Sequence, residues 1–227
     1  MGFEQEDTDA AKNLRISAWF KEMSDAVKVK YAKMGAEALY ELALAHYHGD
    51  GATQDFEEAF SLMMQSAEKG YAAAQNSVAI MYDNGCGTGV DRVKAVEFYS
   101  KAAGQGDARA QANLGMMFNA GEGVVQDYAE AVRLTRLAVR QGDDYATYNL
   151  GTFYERGEGV PQDYAQAVEW YRIAASHGLD YAQFRLGVMY YNGTGVEADE
   201  AEAVNWFLLA AEQGNEEALE MLDEMEM

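Results

Sequence analysis

Residues 143–178 read DDYATYNLGTFYERGEGVPQDYAQAVEWYRIAASHG, and the rest of the chain is built around them. The same 36-residue pattern recurs without insertion at 35–70, 71–106, 107–142 and 179–214. A fixed period of this length marks stacked repeats, each a small unit that cannot bury its apolar face alone.

Places within the unit are counted from 1 to 36, starting at Gly35, Tyr71, Asp107, Asp143 and Leu179. Place 4 is always Ala, from Ala38 through Ala182 and again as Ala218. Place 25 is always Ala: Ala59, Ala95, Ala131, Ala167 and Ala203. Place 9 is always small: Ala43, Ala79, Gly115, Gly151 and Gly187. Small residues at fixed places let helix axes approach closely, at about 8–10 Å. Places 4, 8, 9 and 12 share one helical face, and places 25, 28, 29, 32 and 33 share another. Each unit is therefore predicted to hold a helix A and a helix B.

The turns agree. Gly at places 15 and 17 suits the end of helix A and a tight loop. Asp at place 21 (Asp55, Asp91, Asp127, Asp163, Asp199) suits the N-cap of helix B, with Glu or Gln three residues later in four copies. Gly at place 36 closes helix B. No strand signal precedes the Gly-x-Gly loops, so they read as turns rather than phosphate cradles.

These residues carry a resemblance. Ala-x-x-x-Leu-Gly-x-x-Tyr followed by Gly-x-Gly-Val-x-x-Asp-x-x-x-Ala-Val-x-Trp-Tyr-x-x-Ala-Ala-x-x-Gly is similar to the Sel-one-like repeat, a relative of the tetratricopeptide repeat. The resemblance covers residues 35–214. It implies an all-α fold, a right-handed α-solenoid of antiparallel helix pairs. It also implies work as an adaptor or scaffold binding a protein or peptide. Some disulfide-rich members are associated with β-lactam binding or hydrolysis, which gives the alternative of a small-ligand binder or hydrolase. Those members carry a Cys pair in each repeat, and this chain has a single Cys, Cys86.

Outside the repeats, acidic residues 1–9 are expected to fray. Residues 10–34 read as a helix capping the first repeat, and 215–227 as a half repeat whose Ala218, Leu219 and Leu222 seal the other end. Residues 1–9 lack the basic and apolar regions of a signal peptide, and Glu6 does not fit a myristoylation start.

The net charge of −21 repels nucleic acid and anionic lipid, so neither is expected as a partner. From Leu186 onward there are eleven Asp and Glu and no Lys or Arg, a run that suits a solvated end, or a docking surface for a basic partner or for the basic N-terminal helix of another copy in weak self-association. A lone Cys fits a reducing compartment, and a cytoplasmic location is expected. Of the three His, His46 falls at core place 12, while His48 and His177 form no ligand pair at helical spacing. No catalytic residue, metal site or cofactor is expected.

With places 4, 8, 9 and 12 turned inward, places 3, 6, 7, 10, 13 and 14 of helix A remain to line a groove. Arg109, Asn113, Tyr145, Tyr148, Asn149, Arg156, Tyr181, Phe184, Arg185 and Tyr191 are its candidate peptide-binding residues. Aromatic side chains give contact area, Asn pairs with extended backbone, and Arg pairs with carboxylate or phosphate. Replacing Tyr148 and Arg185 by Ala is expected to abolish capture and to leave melting nearly unchanged.

Overall fold

A computed structural model describes residue 31 and residues 33–225. The fraying expected for 1–9 lies outside the described residues, as does the capping helix expected over 10–34 apart from its last residues. Among the described residues there are eleven helices and no strand. In chain order they are α1 (Ala36–His48), α2 (Phe56–Glu68), α3 (Ala72–Asn84), α4 (Arg92–Gly104), α5 (Ala108–Ala120) and α6 (Tyr128–Val139). Then come α7 (Asp144–Arg156), α8 (Tyr164–Ser176), α9 (Asp180–Asn192), α10 (Glu200–Glu212) and α11 (Glu216–Met225). The fold is all-α, with odd-numbered helices as A and even-numbered helices as B. Two compact units divide within the third copy. One runs through Met117 and takes in Gly121–Val125; the other takes Phe118–Ala120 and everything from Gln126 onward.

The loop between A and B is built the same way each time. Gly at place 15 is left-handed, with φ from +63° to +77°. In the fourth copy the N–H of Gly157 and that of Glu158 both donate to the Phe153 carbonyl, at 2.9 and 3.1 Å. These bonds satisfy a helix-end carbonyl. The place-21 Asp then caps helix B: Oδ1 of Asp55, Asp91, Asp127, Asp163 and Asp199 each accepts from the N–H three residues on, at 3.0 Å. The reciprocal half of a capping box is not formed. The Asp N–H donates instead to the place-12 carbonyl, as Asp163 does to Tyr154 at 2.9 Å.

Gly at place 17 answers to a neighbour. A Cβ on Gly87 would stand 2.0 Å from the Phe56 carbonyl oxygen, and one on Gly195 2.4 Å from that of Tyr164. In copies two to five such a loop rests on the first residue of the preceding helix B. Place 9 is small for a packing reason. The Tyr171 ring lies where a Cβ on Gly151 would be, 2.7 Å away, and the Phe207 ring meets Gly187 the same way at 2.6 Å.

The core is a strip between helices. In the second unit Ala167, Val168, Tyr171, Ala174, Ala182, Leu186 and Met189 form one buried cluster, and Ala203, Phe207, Ala210 and Ala218 the next. The invariant place-25 alanines are fully buried. Ala167→Leu is expected to cost about 1–3 kcal/mol by overpacking, and a thermal melt matching the parent would refute the assigned register.

Two expected core residues lie elsewhere. Ala38 is exposed, because place 4 is covered by the preceding helix B and no described helix B precedes α1. Leu219 is 49% exposed, although Ala218 is sealed and Leu222 packs on the last cluster. Leu219 stands at place 5, which the helix B of its own repeat covers in complete copies; no described helix B follows α11. His46 is half-buried rather than sealed, with Nδ1 3.2 Å from the Thr53 carbonyl.

Candidate functional site

Arg109 and Asn113 lie in the first unit and the other eight candidate residues in the second. Arg109 is exposed on α5, while Asn113 donates to Asn76 Oδ1 at 3.4 Å. In the second unit α7 carries Tyr145, Tyr148, Asn149 and Arg156, and α9 carries Tyr181, Phe184, Arg185 and Tyr191. Both are A helices, and by helical spacing places 3, 6, 7, 13 and 14 share one side of such a helix.

These residues sort by depth. Tyr145, Tyr181 and Tyr191 stand out at 62%, 52% and 45% exposure, and Arg156 is also exposed. Asn149 is half-buried. Tyr148 and Phe184 are half-buried and form the floor. The Tyr148 ring lies 5.4 Å from that of Tyr171 and 6.4 Å from that of Tyr181, and Phe184 lies 5.8 Å from Phe207. Tyr148 therefore bridges the α7/α8 core to an exposed ring on α9.

Beneath the rings is a polar network whose membership goes beyond the candidate set. Glu155 on α7 accepts from the Tyr171 hydroxyl at 2.5 Å and from the Arg185 guanidinium. Thr152 Oγ1 lies 3.2 Å from the same hydroxyl. Burial pushes the Tyr171 phenol far above its usual range, and its bond to Glu155 adds to the shift. Burial likewise raises the Tyr148 phenol, with Arg185 pulling the other way. Burial opposes the Arg185 charge, but Glu155, Tyr171 and Tyr148 outweigh it and the guanidinium is held more firmly protonated. Arg185 thus has its carboxylate inside the chain. Replacing Tyr148 and Arg185 together removes a core-packed ring and a helix-to-helix ion pair, so the melting temperature is expected to fall rather than stay level.

Glu155 falls at groove place 13 in the sequence, but its role as the partner of Arg185 was not foreseen there, and neither were Thr152 and Tyr171 as parts of this surface. Glu155 stands at place 13, beside a place-7 Arg one repeat later, and that juxtaposition was readable once the A helices were laid side by side.

Among the described residues no group of three or more His, Cys, Asp and Glu is arranged to hold a metal ion. His177 Nδ1 lies 2.5 Å from Asp144 Oδ1 on an exposed surface. No described helix is long and apolar enough to cross a membrane.

The Sel1 repeat model matches residues 36–71, 72–107, 108–143, 144–179 and 180–215, one residue later than the frame used above. The chain belongs to the Sel1 repeat family. Solved Sel1 structures share its architecture. A Sel1 repeat protein from Oxalobacter formigenes is 29% identical with a TM-score of 0.80, over 93% of this chain and 86% of that one. A protective antigen of uropathogenic Escherichia coli strains, displaying an SLR fold, is 31% identical with a TM-score of 0.74, over 93% of this chain and 47% of that one. A putative Sel1 repeat protein from Klebsiella pneumoniae has the same fold at 23% identity and a TM-score of 0.57, over 85% of this chain and 93% of that one. No curated protein matches the chain.

Proposed function

We propose that this Sel1 repeat chain is a non-catalytic adaptor that holds a protein or peptide segment across the α7–α9 surface. Sel1 repeat folds generally serve protein interaction, and here the supporting observation is the row of exposed rings at Tyr145, Tyr181 and Tyr191 on adjacent A helices. Rigid tyrosines supply contact area at little entropic cost, and they are common binding hot spots. Tyr148 and Phe184 form the apolar floor. Asn149 and Arg156 offer polar contacts to the backbone or acidic groups of the bound segment. Arg185 acts by tying α9 to Glu155 on α7. The lone Cys suits a reducing compartment, and we place the adaptor in the cytoplasm.

The test is affinity capture from source-cell extract with the parent and with a Tyr145→Ala/Tyr181→Ala/Tyr191→Ala variant. The parent is expected to retain specific proteins that the variant loses, with the two chains melting alike, since all three rings are largely exposed. Equal retention by both chains would overturn the reading.

A further inference from the structure

One face of α6 departs from the charge of the rest of the molecule. Arg133, Arg136 and Arg140 gather around Leu137, in a chain of net charge −21. With Ala129, Val132 and Gly159 they line a hollow of about 280 Å³. Arg133 is bound by both oxygens of Glu130 at 2.7 Å, and Arg136 donates to the Tyr154 hydroxyl at 3.1 Å. Each guanidinium has five N–H donors, so both keep donors to spare. Arg140 is exposed beside them.

The second unit also carries a surface of matching form. On α11, Leu219 projects from its helix at 49% exposure with Glu216, Glu220 and Asp223 exposed around it. No Lys or Arg stands anywhere from Leu186 onward to neutralise them.

We propose that α11 of one copy docks on the α6 face of a second copy, with Leu219 entering the hollow at Leu137. Counted from Leu137, the arginines stand four and one residues before and three after; counted from Leu219, the acids stand three before and one and four after. At about 100° per residue, the arginines fall on one flank of their leucine and the acids on the opposite flank. Two such helices running in the same direction, leucine to leucine, bring those flanks together. Arg133 then faces Glu216, Arg136 faces Glu220 and Arg140 faces Asp223, each offset along the axis by no more than about 3 Å. Arginine–carboxylate pairs of this kind give direction and partner choice.

The two surfaces are different, so the contact is head-to-tail and adds copies in series unless it closes into a ring. One leucine and three charge pairs make a small interface, so association is weak and depends on concentration.

Sedimentation across a concentration series tests this with two variants. One is Arg133→Glu/Arg136→Glu/Arg140→Glu; the other is Glu216→Lys/Glu220→Lys/Asp223→Lys. All six side chains are at the surface, and circular dichroism checks that both variants fold. Each variant alone is expected to self-associate at least about tenfold more weakly than the parent. Mixed in equal amounts they are expected to associate, since each supplies the surface the other has lost. The lysine variant has a net charge of −21 + 6 = −15, so a bulk charge effect would make it associate more, opposite to the proposal. A parent that stays monomeric throughout overturns the proposal, as do a lysine variant that associates more strongly and a mixture that does not associate.

Discussion

Gly195→Ala is expected to lower the melting temperature by about 6–12 °C, and Gly51→Ala by only about 2–4 °C, on the usual scaling for a chain of this size. Both glycines occupy place 17 and both are left-handed, with φ of +72° and +79°. The backbone term is therefore shared, about 1 kcal/mol for an L-residue in that region. The surroundings differ. A Cβ on Gly195 would lie 2.4 Å from the carbonyl carbon and oxygen of Tyr164 and 2.8 Å from its Cβ, whereas one on Gly51 meets nothing within 4 Å among the described residues. Backbone at the start of α8 cannot yield as a side-chain tip does, so the loop must lift off the preceding repeat. The added strain is about 2 kcal/mol, typical of overpacking. Because each repeat leans only on its neighbours, the loss falls on the joint between the fourth and fifth copies. Paired thermal melts of the two variants decide it: equal shifts would mean that place 17 is glycine for its dihedral angles alone.

Gly at places 15 and 17, Asp at place 21 and Ala at places 4 and 25 were legible because each answers to one local demand repeated five times. The partner of place 17 was hidden, because it lies a repeat away and is backbone, which leaves no mark in side-chain identity. Place 5 was missed for another reason. Gln75, Gln111, Thr147 and Gln183 are polar yet buried. Gln75, Gln111 and Gln183 donate from Nε2 to carbonyls of the preceding helix B at 3.1–3.3 Å. Gln105 and Gln213, at place 35, donate in turn to Gln75 and Gln183 at 2.7 and 2.8 Å. A hydropathy count scores such residues as surface. Their signal was the pairing of Gln at place 5 with Gln at place 35, broken only in the copies with Leu39 and Lys69 and with Thr147 and His177. The candidate surface was legible in its exposed rings and not in its charges, since Arg185 reads as a free cation until Glu155 of the preceding repeat stands beside it.

Glu155→Ala is expected to cost about 2 kcal/mol, the scale for removing one partner of a part-buried polar contact. The Glu155 side chain is 18% exposed and that of Arg185 33%, so solvent screens the pair only in part. Without the carboxylate, the Arg185 guanidinium loses its counter-charge and the Tyr171 hydroxyl loses its acceptor, though it stays beside Thr152. Arg185→Ala should cost less, because Glu155 still accepts from Tyr171. The double variant should then cost less than the sum of the two single changes, by about 1–2 kcal/mol of coupling. Denaturant melts of the four proteins measure that term, and strict additivity would show that the pair does not join α7 to α9. The cycle also separates holding from binding. With Glu155 and Arg185 both gone, Tyr145, Tyr181 and Tyr191 remain exposed, so below its melting temperature the double variant should still retain whatever the parent captures. Loss of capture there, with capture unaffected by the triple tyrosine change, would move the binding chemistry from the rings to the ion pair beneath them.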